Sequence, residues 1–275
     1  MRVLVSADME GATGVTWPED VRPGAPQWER CRRLFTGDVN AVAAGYFDAG
    51  ADDVLVNEAH ATMRNLLLEE LDPRARLLAG RHKPLGMMQG LEDDVELVAF
   101  VGYHAGAGEP GVLSHTFLAS ELTGVWLNGA PASEGRMNAA LAAEAGARVV
   151  LVSGDDRAWA DADGYAPAAR KVVVKQAVDR YSAVLLPPAR TAALLREAAA
   201  ASVTLPAHGP VASAPYTYEV EFLGTSSAAA ATAIPSVEQV SPRRVRFTLE
   251  PMRDAYRCFR AAAVLGLAAR EDRYG

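Results

Sequence analysis

The sequence predicts an α/β protein: a mixed, largely parallel sheet covered by helices, with a smaller C-terminal α+β subdomain packed on it. Three observations carry this prediction. Short apolar runs rich in β-branched residues recur through the first two thirds of the chain. Longer stretches with helical spacing separate them. After residue 215 the pattern changes to strict alternation of apolar and polar positions. Strand–helix alternation produces parallel sheets buried on both faces, whereas period-2 alternation marks strands buried on one face.

The elements follow in order. Strands are expected at residues 3–6, 54–57, 97–101, 149–153 and 172–175, where Val, Leu, Ile-like and Phe positions run together. Helices are expected at 28–49, 136–145 and 191–200, the first closed by Gly50 as a C-terminal cap. A short strand is expected at 125–127. The stretch 202–215 is rich in Pro, Ala and Gly and breaks the rhythm. Beyond it come an alternating strand at 216–223 and an Ala-rich helix before Pro235. A second alternating strand follows at 243–249, with Val245, Phe247 and Leu249 on one face, and a closing helix runs from Met252 to about Arg270. The expected division is an α/β domain over residues 1–205 and a subdomain over 206–275, or one continuous domain over 1–275.

Bulk properties narrow the function. The 275 residues are 50% hydrophobic and 22% charged, ordinary for a globular chain able to bury a core. A net charge of −7, with no basic cluster longer than Arg32-Arg33 or Arg243-Arg244, argues against nucleic acid or an anionic membrane as the main partner. No apolar stretch approaches the ~20 residues that span a bilayer, and the N-terminal apolar run is too short for a signal peptide. With only Cys31 and Cys258, far apart, neither a thiolate metal site nor a disulfide framework is expected. A cytoplasmic protein with two reduced thiols is the expectation.

In open α/β sheets ligands bind at the carboxyl ends of strands. The residues directly after the apolar runs are therefore informative. The run 3–6 leads into Ala7-Asp8-Met9-Glu10-Gly11, 54–56 into Asn57-Glu58-Ala59-His60, and 98–101 into Gly102-Tyr103-His104. In an extended backbone, Asp8 and Glu10 project to the same side. Two carboxylates so close repel unless a cation lies between them. Asp8, Glu10, His60 and His104 together are a metal-ligand set, and oxygen and imidazole donors without thiolate suit Zn²⁺, with Mn²⁺ or Co²⁺ as alternatives. A carboxylate able to bridge two ions suits two-metal hydrolysis, in which the ions lie about 3.5–4 Å apart.

Glu134, just before a helix, reads either as an acid favourable to the helix dipole or as a fifth ligand. His115, in a glycine-rich loop past His104, is placed to serve as a general base or to stabilise a developing oxyanion. Ser114 beside it makes no serine triad, since no G-x-S-x-G elbow is present. His82 and His208 read as ordinary loop residues. The literal G-x-G-x-x-G of residues 106–111 contains Glu109 and Pro110, which suit a site loop rather than a pyrophosphate cradle. Gly11-Ala12-Thr13-Gly14 lacks the Gly-Lys-Ser/Thr ending of a phosphate-binding loop.

Taken together, Ser6-Ala7-Asp8-Met9-Glu10-Gly11, Asn57-Glu58-Ala59-His60 with Met63-Arg64-Asn65, Gly102-Tyr103-His104, His115, and Asn128-Gly129 with Glu134 resemble the zinc D-aminopeptidases of the DppA type, the M55 peptidase family. The resemblance spans nearly the whole chain, including 171–181 and the final helix. It implies two Zn²⁺ per chain bridged by Asp8, with Glu10 and His104 completing one site and His60 and Glu134 the other. It further implies that His115 is the catalytic histidine, as nucleophile or base. It also implies a homo-oligomeric ring, commonly a decamer in that family. The expected activity is removal of the N-terminal residue from short peptides, D-amino-acid peptides among them. The alternatives are another two-metal hydrolase, an amidohydrolase or phosphoesterase, and an oligopeptide-binding protein without turnover.

Overall fold

A computed structural model describes residues 1–270 except 92–93, 120, 208 and 210. His208 therefore lies outside the described residues. A seven-stranded sheet is formed by β1 (Arg2–Ala7), β2 (Asp53–Glu58), β3 (Arg76–Leu78), β4 (Leu97–Tyr103), β7 (Arg148–Asp155), β8 (Arg170–Asp179) and β9 (Ser182–Leu185), in the order β3-β2-β1-β4-β7-β8-β9. All its pairings are parallel except β8 with β9. The second sheet contains β5 (Leu122–Leu127), β6 (Ala130–Pro131), β10 (Tyr216–Phe222), β11 (Glu238–Ser241) and β12 (Arg244–Leu249), in the antiparallel order β11-β12-β10-β5-β6.

The large sheet is mixed and largely parallel, as the apolar runs predict, because both of its faces are covered. Val3 and Val5 of β1 belong to a core shared with α2 (Pro26–Asp48) and α5 (Pro188–Ser202), which pack on each other. Leu4, between them, points to the opposite core, closed by α3 (Glu134–Glu144), α7 (Met252–Ala268) and the second sheet. On that side Phe259 of α7 packs on Phe117 and on Tyr218 of β10, with ring centroids 5.5 and 5.4 Å apart. β10 alternates strictly between buried and half-buried positions, as one-sided strands do.

The helix expected at 28–49 begins two residues earlier, where Pro26 occupies the first turn, and Gly50 beyond its end has φ +87°. The strand expected at 172–175 extends to Asp179 and turns back as β9. The remaining short helices are α1 (Pro18–Val21), α4 (Asp156–Asp163) and α6 (Thr225–Ala231). Among the described residues no helix is long and apolar enough to cross a membrane.

Two glycines determine how closely the loops meet at the carboxyl end of the sheet. Gly102 has φ +70°, and a Cβ there would lie 2.0 Å from the Asp8 carbonyl oxygen. A Cβ on Gly11 would lie 1.9 Å from the Tyr103 carbonyl oxygen. Only residues without side chains allow the ends of β1 and β4 to touch in this way. The contact is fixed by hydrogen bonds from Asp8 N–H to Val101 O (2.8 Å) and from Gly11 N–H to Gly102 O (2.7 Å).

Candidate metal centre

Asp8 and Glu10 follow β1, His60 follows β2, His104 follows β4, and Glu134 opens α3. The fold brings all five together with His115. His60 Nδ1 lies 2.8 Å from Glu10 Oε2 and 3.5 Å from Asp8 Oδ1. His104 Nε2 lies 3.2 Å from Asp8 Oδ2 and 3.5 Å from Glu134 Oε2. His115 Nε2 stands 4.0 Å from Glu10 Oε1 and 3.8 Å from Glu134 Oε1. Its ring stacks on that of His104, centroids 4.2 Å apart. His82 is exposed and belongs to none of these contacts.

Glu134 sits both at the start of a helix and beside His104. It is the first residue of α3, whose N-cap Ser133 accepts a hydrogen bond from the Arg136 N–H, and its carboxylate points into the cluster. The Phe117 N–H donates to its Oε1, leaving Oε2 directed at His104.

The donor set fits divalent ions. Each histidine approaches a backbone carbonyl through one ring nitrogen, all three at 2.9 Å: His60 Nε2 to Val21 O, His104 Nδ1 to Ala105 O, and His115 Nδ1 to Leu113 O. A carbonyl can only accept, so that nitrogen carries the proton and the other ring nitrogen offers a lone pair to the cluster. With the inward ring nitrogens unprotonated, Asp8 Oδ2, Glu10 Oε2 and His104 Nε2 are buried without a hydrogen-bond partner. Buried polar atoms are almost always paired, so three orphans facing one another mark a place for a cation. Asp8, Glu10 and His104 each bring one donor atom within 4.8 Å of the others, as do His104, His115 and Glu134.

The electrostatics agree with this geometry. Burial opposes charge on His60, yet the Glu10 and Asp8 carboxylates outweigh it and hold the imidazole well above its usual pKa. His104 is raised in the same way against burial by Glu134 and Asp8. Burial pushes the Glu134 carboxyl upward, but His104 more than compensates and lowers it. Protons on imidazoles thus offset the carboxylates, and a divalent ion entering the cluster would displace them.

A second layer of residues holds this set. Glu58, at the end of β2, turns away from the cluster. Its carboxylate accepts hydrogen bonds from the N–H groups of His60 and Asn65 and from Asn65 Nδ2. Asn65 Nδ2 also donates to His60 O, and Asn65 Oδ1 accepts from Trp28 Nε1 at 3.0 Å. Asp155, at the end of β7, accepts from Val112 N–H at 2.7 Å and caps α4 through the Arg157 and Ala158 N–H groups. Leu113 and Phe117, on either side of His115, have φ of +52° and +62°. Side-chain-bearing residues adopt that region rarely, mostly where a loop is held by its surroundings.

Fully buried Lys175 of β8 lies beneath the turn that carries Glu10. Burial pushes its ammonium down to about 8, against the pull of Asp155 and Asp38. Sequence reasoning missed Asp155 and Lys175. The strand-end rule reaches Asp155 directly after Ser153-Gly154, and the signal for Lys175 is a charge closing the run Val172-Val173-Val174.

The loop 105–110 is no pyrophosphate cradle, since no helix opens from it. It lines a cavity of about 560 Å³ together with Trp126, Arg157 and Arg244.

The sequence profile of the family Peptidase_M55, described as D-aminopeptidase, matches residues 1–261. A D-aminopeptidase of Bacillus subtilis (strain 168) is 34% identical over 265 residues, covering 93% of this chain and 94% of that protein. A solved structure described as "Zn-dependent D-aminopeptidase DppA from Bacillus subtilis, a self-compartmentalizing protease" superposes with a TM-score of 0.93 at 32% identity. That superposition covers 97% of this chain and 98% of the other.

Proposed function

Because the chain belongs to the M55 family of D-aminopeptidases, we propose that it is a zinc-dependent aminopeptidase that releases the N-terminal residue of short peptides, D-amino-acid peptides among them. The observation that carries this reading is the clustering of three carboxylates with three imidazoles, each imidazole aimed inward by a backbone carbonyl. Asp8 would be shared by two Zn²⁺ ions, with Glu10 and His104 completing one ligand set and His60 and Glu134 the other. The donor group Asp8, Glu10 and His104 supports the first set. The approaches of Glu10 to His60, at 2.8 Å, and of Glu134 to His104, at 3.5 Å, cross between the sets and keep all five candidate ligands within one cluster. When bound, the ions supply Lewis-acid polarisation of the scissile carbonyl and acidify water.

The chain's own residues do the rest. The His115 side chain is 12% exposed, against 2–8% for the five ligand residues, so it is the member most open to an incoming peptide. Its Nδ1–H is fixed on Leu113 O, leaving Nε2 free to take a proton from the attacking water. As the C–O bond forms and the C–N bond breaks, the same nitrogen returns that proton to the departing amine. Such general acid–base transfer contributes typically 10²–10⁴-fold. Glu10 Oε1 and Glu134 Oε1 lie 4.0 and 3.8 Å from that nitrogen.

The free, buried thiols of Cys31 and Cys258 suit the reducing cytoplasm. The description of the similar structure as self-compartmentalizing supports a homo-oligomeric ring for this chain, of ten subunits as the family resemblance implies.

The test is zinc content per chain, followed by hydrolysis of matched dipeptides in both chiralities. About two zinc per chain with preferential release of an N-terminal D-residue is the expected result. Phosphate-ester hydrolysis without peptide hydrolysis, or tight dipeptide binding without product, would replace the reading.

A further inference from the structure

Lys175 is fully buried, and its Nζ donates to the carbonyl oxygens of Glu10 at 2.6 Å, Ala12 at 3.0 Å and Val15 at 2.7 Å. An ammonium carries three protons, and these three acceptors take all of them. All three carbonyls belong to one turn, which starts at Glu10. The turn is fastened from another side by Asp38, whose carboxylate accepts from the N–H and hydroxyl of Thr13. Asp20 continues the hold by accepting from the Thr16 and Trp17 N–H groups. The next residue, Val21, supplies the carbonyl that orients His60.

Three buried carbonyls converging on one point are costly unless a donor meets them. Without the ammonium each would need another donor, and the turn would have to open to find one. Inside the turn Ala12 N–H bonds only to Met9 O and Val15 N–H to Ala12 O at 3.3 Å. Neither these contacts nor the Gly11 N–H to Gly102 O bond meets the Glu10 carbonyl, to which the Lys175 ammonium donates.

We infer that Lys175 is a positioning residue for the metal centre: by gathering the carbonyls of Glu10, Ala12 and Val15 it fixes the turn that presents the Glu10 carboxylate. The ion-binding half of the test rests on the two-zinc reading, whereas the half that follows the backbone does not.

The experiment uses Lys175→Met, which keeps a linear side chain and removes charge and donors. Hydrogen exchange of the metal-free protein, read by mass spectrometry, should show amides of residues 9–17 exchanging at least tenfold faster than in the parent, with α7 unchanged. Zinc titration should show one of two ions bound at least tenfold more weakly and the other within about threefold of the parent. Unchanged protection of residues 9–17 overturns the inference. Equal loss of protection throughout the chain also overturns it, in favour of a general contribution to stability. A parent chain that binds no zinc would refute the metal reading instead, and the exchange result would then decide the role of Lys175 alone. Should Lys175→Met fail to fold, Lys175→Gln, which retains two N–H donors, is measured in the same way against the same outcomes.

Discussion

Asp155 and Lys175 are register partners where β7 and β8 run side by side, and each fastens a different side of the candidate metal centre. The carboxylate holds Val112, three residues before His115; the ammonium holds the turn that begins at Glu10. Two neighbouring strand ends of the main sheet thus fix the candidate base and a candidate ligand through backbone groups.

Asp155→Ala should therefore lower kcat about tenfold or more while zinc content stays at the parent value. It frees the Val112 N–H and removes the cap of α4, a loss of about 1–2 kcal/mol for the cap alone. Steady-state kinetics, metal analysis and thermal melting on one preparation check this. Loss of zinc in that variant would show that Asp155 supports the ligands rather than the His115 loop.

His115→Ala should bind zinc like the parent and lose roughly 10²–10⁴-fold in kcat, the usual contribution of a general acid–base residue. Its Nε2 stands 3.8 Å or more from the carboxylates, and its removal leaves the five ligand residues in place. Near-parental kcat would move the proton transfer to another group.

Asn65 lies outside the ligand set yet joins Glu58, Trp28 and the His60 carbonyl. Asn65→Ala leaves the Trp28 indole N–H and the Glu58 carboxylate short of partners. We expect destabilisation of about 2–3 kcal/mol and zinc affinity reduced by roughly 10–100-fold, as for other supports of ligating histidines. Denaturant unfolding of the metal-free chain and competitive chelator titration separate the two effects.

Removing zinc with a chelator should lower the melting temperature, and restoring it should reverse the loss. Asp8, Glu10 and Glu134 are 2%, 6% and 6% exposed, and their carboxylates crowd together beside His60, His104 and His115. Free zinc at 100 times its Kd stabilises the folded state by about 2.7 kcal/mol. A melting temperature insensitive to chelator would argue against a buried ion-binding cluster.

Asp38 gives a pH signature. Burial raises its carboxyl to about 6, well above the ordinary aspartate range, against the lowering effect of the Thr13 hydrogen bonds and Lys175. With the folded pKa above the unfolded one, the folded state binds the proton more tightly. Its contribution is therefore most favourable below the unfolded value and is lost as pH rises towards about 6. In Asp38→Asn the side chain can still accept from the Thr13 N–H. The parent should lose stability relative to this variant by up to about 3 kcal/mol between pH 4 and 6. Unfolding free energies of both proteins across that window provide the check, and a constant difference would contradict it.

The strands of the large sheet were legible because layers on both faces select continuous apolar runs such as Val3-Leu4-Val5. The short β3 and the returning β9 left weaker traces. Val184 and Leu185 of β9 are 58% and 42% exposed, so no burial pattern distinguishes that strand. Nor does the sequence indicate that β5 joins β10 across about ninety residues, since antiparallel pairing at such separation leaves no periodic sign. Asp8, Glu10, His60 and His104 were legible from their position after apolar runs. Lys175 and Asp155 act on main-chain carbonyls and amides, groups every residue possesses, so no partner motif marks them. Glu134 became distinct only through the resemblance, because a first-turn acid is an ordinary helix feature.

The order of these residues along the chain has a consequence for synthesis. All five candidate ligands and His115 have been synthesised once residue 134 is made, whereas the two residues that fasten their loops follow at 155 and 175. A nascent chain thus holds every donor before it holds the two side chains that fasten the loops carrying Glu10 and His115. Central parallel strands also pair late, because their partners are distant in sequence. Only after β8 is made can both fastening side chains reach those loops.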